Sequence, residues 1–311
     1  MTSHLTFETL DSEGACRALR EVGVNLLPGD VHVEPREERW LVTLPDRRIA
    51  WFPASDRGLE RLTVDRRVLR LLADRCTFRV PKILVEAPSG FDVREMVPGS
   101  CEPWKLYGRI QADRALACGI GRSVGAILAQ QHTRIAEADV TGWLPRRPAW
   151  PMPGDWIRER LPDVVDDREL LSAIEGVFRA YESTALNPAD CALVHADLGL
   201  HNLPLDNATD QVTGVFDYDE AAWTDPHHDF RYLVFDFERP DMLEAALAVY
   251  EPAVGRTIDR TRVRLYNAAC AISFLALRVG IPADKHSCGR TLDEDLRWVR
   301  GAVSRVAAAR S

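Results

Sequence analysis

The hydrophobic period of this chain changes once along its length, and that change restricts the folds open to it. From 30 to 53, "DVHVEPREERWLVTLPDRRIAWFP" consists of short β-prone runs separated by Pro, Asp and Arg turns, which predicts three antiparallel strands. The stretch "SDRGLERLTVDRRVLRLLADR" then sets Leu59, Leu62, Val64, Val68, Leu69, Leu71 and Leu72 at roughly helical spacing. Two more strand-like runs follow, "PKILVEAP" and "FDVREMV", closed by Pro98-Gly99. Ahead of them all, "TLDSEGACRALREV" at 9–22 predicts a short amphipathic helix with an Asp or Ser cap. Beyond Pro98-Gly99 the pattern turns helical. A long apolar period through Ile120, Val124, Ile127 and Leu128 covers 109–136, residues 167–184 read as a helix, and so does the chain from about 240 onward. Residues 140–156, rich in Pro and Trp, predict a loop or irregular cap. Two β-like runs, ending near 194 and 216, interrupt the helices, and the polar turn "DNATDQ" predicts that they form a hairpin. The expected class is α+β, with a small β-rich lobe over 1–98 and a larger, mainly helical lobe over 99–311.

Composition narrows the function. At 311 residues and 46% hydrophobic content the chain can bury a sizeable core. No apolar run approaches the length of a membrane span, and "MTSHLTFETLDSEGACRALREV" lacks the basic and apolar regions of a signal peptide. The seven cysteines are odd in number and contain no Cys-x-x-Cys pair. This argues against a disulfide framework or zinc ribbon, and for a reducing compartment. The expectation is a cytoplasmic protein with no membrane partner. A net charge of −8 disfavours nucleic acid and favours a cationic small molecule. Only three lysines occur, Lys82, Lys105 and Lys285, against thirty-six arginines, so few positions can supply an amine to chemistry.

The chemistry concentrates in "VHADLGLHN" and "VFDYDEAAWTDPHHDF". Residues 195–202 match the kinase catalytic-loop pattern His-x-Asp-Leu-x-x-x-Asn at every fixed position. An Asp placed after a strand can orient a substrate hydroxyl for in-line attack. An Asn five residues on is a neutral oxygen donor for Mg²⁺, and a second Asp supplies the hard carboxylate oxygen that Mg²⁺ prefers. Asp197, Asn202 and Asp217 meet that need if the turn at 206–211 closes.

The stretch "LVHADLGLHN…TGVFDYDEAAWTDPHHDFRYL" resembles the aminoglycoside phosphotransferase and choline kinase-like family. That resemblance implies a bilobal, protein-kinase-like fold that phosphorylates hydroxyls of small molecules, among them aminoglycoside, macrolide and peptide antibiotics. It implies Asp197 as catalytic base, Asn202 and Asp217 as ligands of Mg²⁺, and ATP or GTP as donor. It further implies that His195 supports the loop and that Asp229, in the "TDPHHD" segment, buttresses it. "FDVREMVPG" resembles the family's hinge, so backbone groups of Arg94, Glu95, Met96 and Val97 are expected at the purine. "IGRSVGAILAQQH" resembles the family helix in which His132 is structural.

The nucleotide lobe departs from the family. Its third strand normally carries a Lys or Arg for the α and β phosphates, and here "RIAWFP" puts Trp51 there. The helix acid that would orient the lysine falls on Asp65, and no glycine-rich phosphate loop occurs between Asp30 and Gly58. Trp51 reads either as an apolar plug under the sheet or as a ring packed near the nucleotide. Arginine from another strand could hold the phosphates, with Arg47 and Arg48 nearest in sequence.

Acidic residues would draw a cationic acceptor. Asp219 and Glu220 stand beside Asp217. Further on come Glu238, Asp241 and Glu244, then Asp293, Glu294 and Asp295. An aminoglycoside or other cationic antibiotic is the first expectation and a nucleoside antibiotic the second. Two rivals compete: a pseudokinase or nucleotide-binding regulatory module, and a metal-dependent hydrolase using His195, Asp197, His201 and Asp217.

Overall fold

The computed structural model describes residues 6–235, 240–286 and 289–308. The chain divides into two compact units, one of residues 1–101 with 201–221, the other of 102–200 with 222–311.

The first unit begins with α1 (Ser12–Glu21), whose first turn is capped by Asp11 accepting the Gly14 N–H at 2.7 Å. Strands β1 (His32–Arg36), β2 (Arg39–Leu44) and β3 (Arg48–Pro53), helix α2 (Asp56–Arg75), and strands β4 (Lys82–Glu86) and β5 (Asp92–Glu95) follow in the expected order. The five strands form one antiparallel sheet in the order β1-β2-β3-β5-β4. Strand side chains alternate between faces, so each face has its own character. One face carries Val42, Leu44, Ala50, Phe52 and Val93, which share an apolar core with Ala15, Cys16 and Leu19 of α1. The Phe52 and Phe91 rings stack there, 4.3 Å apart. By register the opposite face carries Arg39, Trp51, Asp92 and Arg94.

Residues 201–221 join this unit through two isolated bridges. Leu205 pairs antiparallel with Ser100, and Gly214 pairs parallel with Arg79. Gly99 permits the first of these. Its φ is +125°, and a Cβ there would lie 2.7 Å from the Leu205 carbonyl oxygen.

The second unit contains α3 (Pro103–Ala112), α4 (Arg114–Arg134), α5 (Glu137–Val140), α6 (Gly154–Arg160) and α7 (Arg168–Glu182), then β6 (Ala192–Val194) and β7 (Ala222–Thr224). It ends with α8 (His227–Phe230), α9 (Tyr232–Phe235), α10 (Pro240–Val254), α11 (Arg260–Ala276) and α12 (Leu292–Ala308). The helix expected over 109–136 is two helices. Asp113 divides them, because its carboxylate accepts the N–H groups of Ala115 and Leu116 and so starts a new helix. Side chains of α6, α7, α11 and α12 share one apolar core. Helices α4 and α10 pack with close backbones, since a Cβ on Gly121 or Gly125 would lie 2.3 or 2.2 Å from the carbonyl oxygen of Met242 or Ala246.

The predicted hairpin is not what forms. β6 pairs with β7, antiparallel, with Leu193 opposite Trp223. The 206–211 turn does close, with the Asp206 N–H donating to the Gln211 carbonyl at 2.9 Å, but it joins only the bridged residues Leu205 and Val212. The cause is local. Ala196 and Asp217 adopt φ of 70° and 67°, which turns the chain just beyond the end of each run. Among the described residues no helix is long and apolar enough to cross a membrane, and six cysteines are free.

Gly125→Val should lower stability to chemical denaturation by about 2 kcal/mol, the usual cost of overpacking. Gly176→Ala, on an exposed stretch of α7 with open space around the new methyl, should raise it by about 0.5–1 kcal/mol.

Candidate active site

In the helical unit, the carboxylate of Asp229 organises the stretch 195–197. Asp229 stands on α8 and is fully buried. It accepts the backbone N–H of His195 at 3.1 Å and of Ala196 at 3.0 Å. Two side chains of α4 also reach it, Gln131 Nε2 at 3.0 Å and His132 Nε2 at 3.1 Å. The other ring nitrogen of His132 meets the Tyr250 hydroxyl at 2.9 Å. Burial pushes the Asp229 carboxyl upward, but its bond to the His132 ring, the neighbouring His132 and His195, and the His195 N–H outweigh this and hold it below the usual carboxylate range. Buried Arg231 grips the same loop from the other side, donating to the carbonyls of Ala196 and, at 3.0 Å, His228. The imidazole of His195 is wholly buried, and its Nδ1 accepts the Asp197 N–H at 3.2 Å.

Asp197 is thereby left partly exposed, on a loop whose backbone is fixed on both sides. The Tyr232 hydroxyl donates to its Oδ1. Burial, then the neighbouring Asp197 charge, keep that phenol protonated well above its ordinary range, so Tyr232 is the donor and the carboxylate the acceptor.

In the sheet unit, Asn202 and Asp217 are brought together, because the Phe216 N–H donates to the Asn202 carbonyl at 3.2 Å. Asp217 then meets Arg39, whose Nη2 lies 2.8 Å from its Oδ2, while Nη1 of the same guanidinium bonds Asp219. Burial disfavours the Arg39 charge, yet Asp217 and Asp219 raise its pKa above the usual arginine value. Arg61 Nη2 adds a second cation to Asp219 at 2.9 Å and reaches Glu220 at 3.3 Å. Asp219 and Glu220, expected to draw a cationic substrate, are thus both paired with arginine. The other acids described in that role are largely paired too: Asp241 with Arg114, Glu244 with Arg260 and Asp295 with Arg290. Glu238 lies outside the described residues.

Trp51 is buried on β3 between two guanidinium groups, Arg39 at 5.0 Å and Arg94 at 5.9 Å from its ring centroid. Asp65 accepts from Arg94 and, at 2.7 Å, from the Tyr218 N–H. Arg94 continues to Asp92 at 2.8 Å, and Asp92 to Arg66 at 2.6 Å. The prominent feature of Arg94 is therefore its side chain. In the rest of that stretch Glu95 and Met96 are exposed, Val97 is buried, and the Met96 N–H is engaged by the Arg47 carbonyl at 2.9 Å. Arg47 and Arg48 sit at the β2–β3 turn, where Arg48 Nε donates to the Pro45 carbonyl at 3.3 Å. Sequence reasoning missed Arg39, Arg61, Arg231 and Tyr232. Strand register was the one available signal, since counting back from the 45–47 turn places Arg39 on the Trp51 face.

Among the described residues no group of three or more His, Cys, Asp or Glu is placed to share a metal ion.

The sequence profile of the phosphotransferase enzyme family matches residues 31–266. No curated protein sequence matches the chain. Several solved structures share its fold. The GDP complex of wild-type aminoglycoside 2'-phosphotransferase-IIIa superposes with a TM-score of 0.69 at 17% identity, covering 94% of this chain and 98% of its own. Macrolide 2'-phosphotransferase MphH from Brachybacterium faecium gives 0.60 at 21%, covering 96% and 97%. The streptomycin–ATP complex of APH(2")-IIa gives 0.64 at 13%, covering 88% and 95%. With a kinase-type fold and a family profile spanning most of its length, the chain belongs to the phosphotransferase enzyme family.

Proposed function

We propose that the protein is a small-molecule kinase that transfers the γ-phosphoryl group of ATP or GTP to a hydroxyl of an antibiotic-like acceptor. The observation that carries this reading is the loop around Asp197, fixed by Asp229 and Arg231, which presents a partly exposed carboxylate with a protonated tyrosine on one oxygen. A carboxylate held this way can accept a bond from an acceptor hydroxyl, aim its oxygen at phosphorus and take its proton as the bond forms. His195 and Asp229 act through backbone geometry, as positioning residues.

Asn202 and Asp217 suit Mg²⁺, being a neutral amide oxygen and a carboxylate of the hard-donor type. The structure supports the fit, since Asp217 already faces a cation in Arg39. Bound there, Mg²⁺ would neutralise charge on the phosphates. Both nucleotides stay open as donors, because the similar folds include an ATP complex and a GDP complex.

The acceptor is an aminoglycoside or other cationic antibiotic first and a nucleoside antibiotic second. The net charge of −8 supports the cationic class, and the similar folds include enzymes named for aminoglycosides and macrolides. Asp219 and Glu220 are engaged by arginine, which weakens the pull either would exert on a cation alone. One observation favours a second reading. With Trp51 in place of a cation on the third strand, the chain could bind nucleotide without turnover.

Incubating the protein with Mg²⁺, ATP or GTP and a panel of aminoglycosides, macrolides, peptide and nucleoside antibiotics should add one phosphoryl mass to one compound class. Nucleotide binding with no product across the panel would favour the second reading. Asp197→Ala should cut kcat by at least about 100-fold while nucleotide affinity stays within about twofold. Retained turnover would remove Asp197 from the chemistry. Asp217→Ala should abolish the Mg²⁺ dependence of nucleotide affinity, which calorimetry with and without chelator would show.

A further inference from the structure

The two guanidinium groups beside Trp51 differ in what holds them. Arg94 lies inside an alternating chain, Arg66–Asp92–Arg94–Asp65, and both of its carboxylates are buried. Withdrawing Arg94 would leave buried Asp65 without its arginine, a costly defect, while Arg66 would still hold Asp92. Arg39 is under no such constraint. Of its two partners, Asp219 has a second arginine in Arg61, and the Asp217 side chain is 26% exposed. Two arginines, Arg39 and Arg61, and three acids, Asp217, Asp219 and Glu220, share this cluster. A metal ion at Asp217 would compete with the guanidinium for the same carboxylate, and two cations at that distance repel. A guanidinium released from Asp217 is a planar fork suited to phosphate oxygens. It stands above Trp51, 5.0 Å from the ring centroid.

We propose that Arg39 supplies the phosphate-binding charge missing from the third strand, and that it does so by exchange. Without nucleotide it closes on Asp217. Arrival of the metal–nucleotide complex transfers Asp217 to the metal and Arg39 to the phosphates, while Arg61 keeps Asp219 neutralised. This rests on the reading of Asp217 as a metal ligand.

The test uses the full chain with Arg39→Met, which keeps an apolar stem over Trp51, and Arg39→Lys, which keeps a charge. Mn²⁺ alone, followed by electron-spin resonance, reports the metal. ADP and GDP with Mg²⁺, followed by calorimetry, report the phosphates. Arg39→Met should bind Mn²⁺ alone several-fold more tightly and Mg²⁺–nucleotide at least about tenfold more weakly, with Arg39→Lys recovering most of the loss. These opposite signs are the signature of exchange. Nucleotide affinity unchanged in Arg39→Met, or metal and nucleotide affinity falling together with the melting temperature, would overturn it. Asp217→Asn is an independent check that leaves Arg39 intact. It should bind metal-free nucleotide more tightly than the parent, because Arg39 starts unclosed, and no gain would count against exchange. The parent chain separates the two readings. If it neither binds nucleotide nor transfers phosphate, the proposed function fails. If it does both and Arg39→Met matches it, only the role of Arg39 fails.

Discussion

The helical unit hangs its 195–197 loop on one buried carboxylate. Asp229 gathers two backbone N–H groups from the 195–197 loop and two side chains from α4, so four donors converge on one residue of a single-turn helix. This convergence is what allows Ala196, a residue with a Cβ, to hold φ of 70°, a conformation that costs on the order of 1 kcal/mol. Arg231 completes the grip by accepting the strain from the carbonyl side, with its own guanidinium wholly buried. Asp197 needs no rigid packing of its own because its neighbours are over-determined.

The sheet unit solves a different problem. One face of its sheet is an ordinary apolar core, but the face toward α2 is lined with charge. Buried ion pairs seldom add net stability over an apolar equivalent, yet breaking one by removing a partner costs about 3–5 kcal/mol. They therefore hold each group in one place. A flat indole fits among them because both of its neighbours are guanidinium groups, which favour an aromatic face. What reads in the sequence as a lysine lost from β3 is, in the fold, an aromatic surface with cations arriving from β2 and β5.

How much of this was legible follows from how local each feature is. The order of strands and helices in the first unit follows from period-two and helical spacing, and the 195–202 pattern is contiguous, so both could be read directly. The break between α3 and α4 was also written locally, in Asp113, whose capping role the continuous apolar period concealed. The 194–216 hairpin failed because the first run pairs instead with residues 222–224, and neither Ala196 nor Asp217, both at positive φ, is a glycine that would signal the turn. The partners of the candidate residues were beyond reach. Arg39 and Asp217 are 178 residues apart, and thirty-six arginines give pattern reasoning no means of choosing among them.

The indole at position 51 also decides which reagents can report on this protein. Acylating reagents label amines, not guanidinium groups or indoles. An amine is a usable nucleophile in its neutral form, whereas guanidinium stays protonated in proteins and has no lone pair to offer. With tryptophan on β3 and arginines on either side of it, an amine-acylating reagent would find no target at that strand.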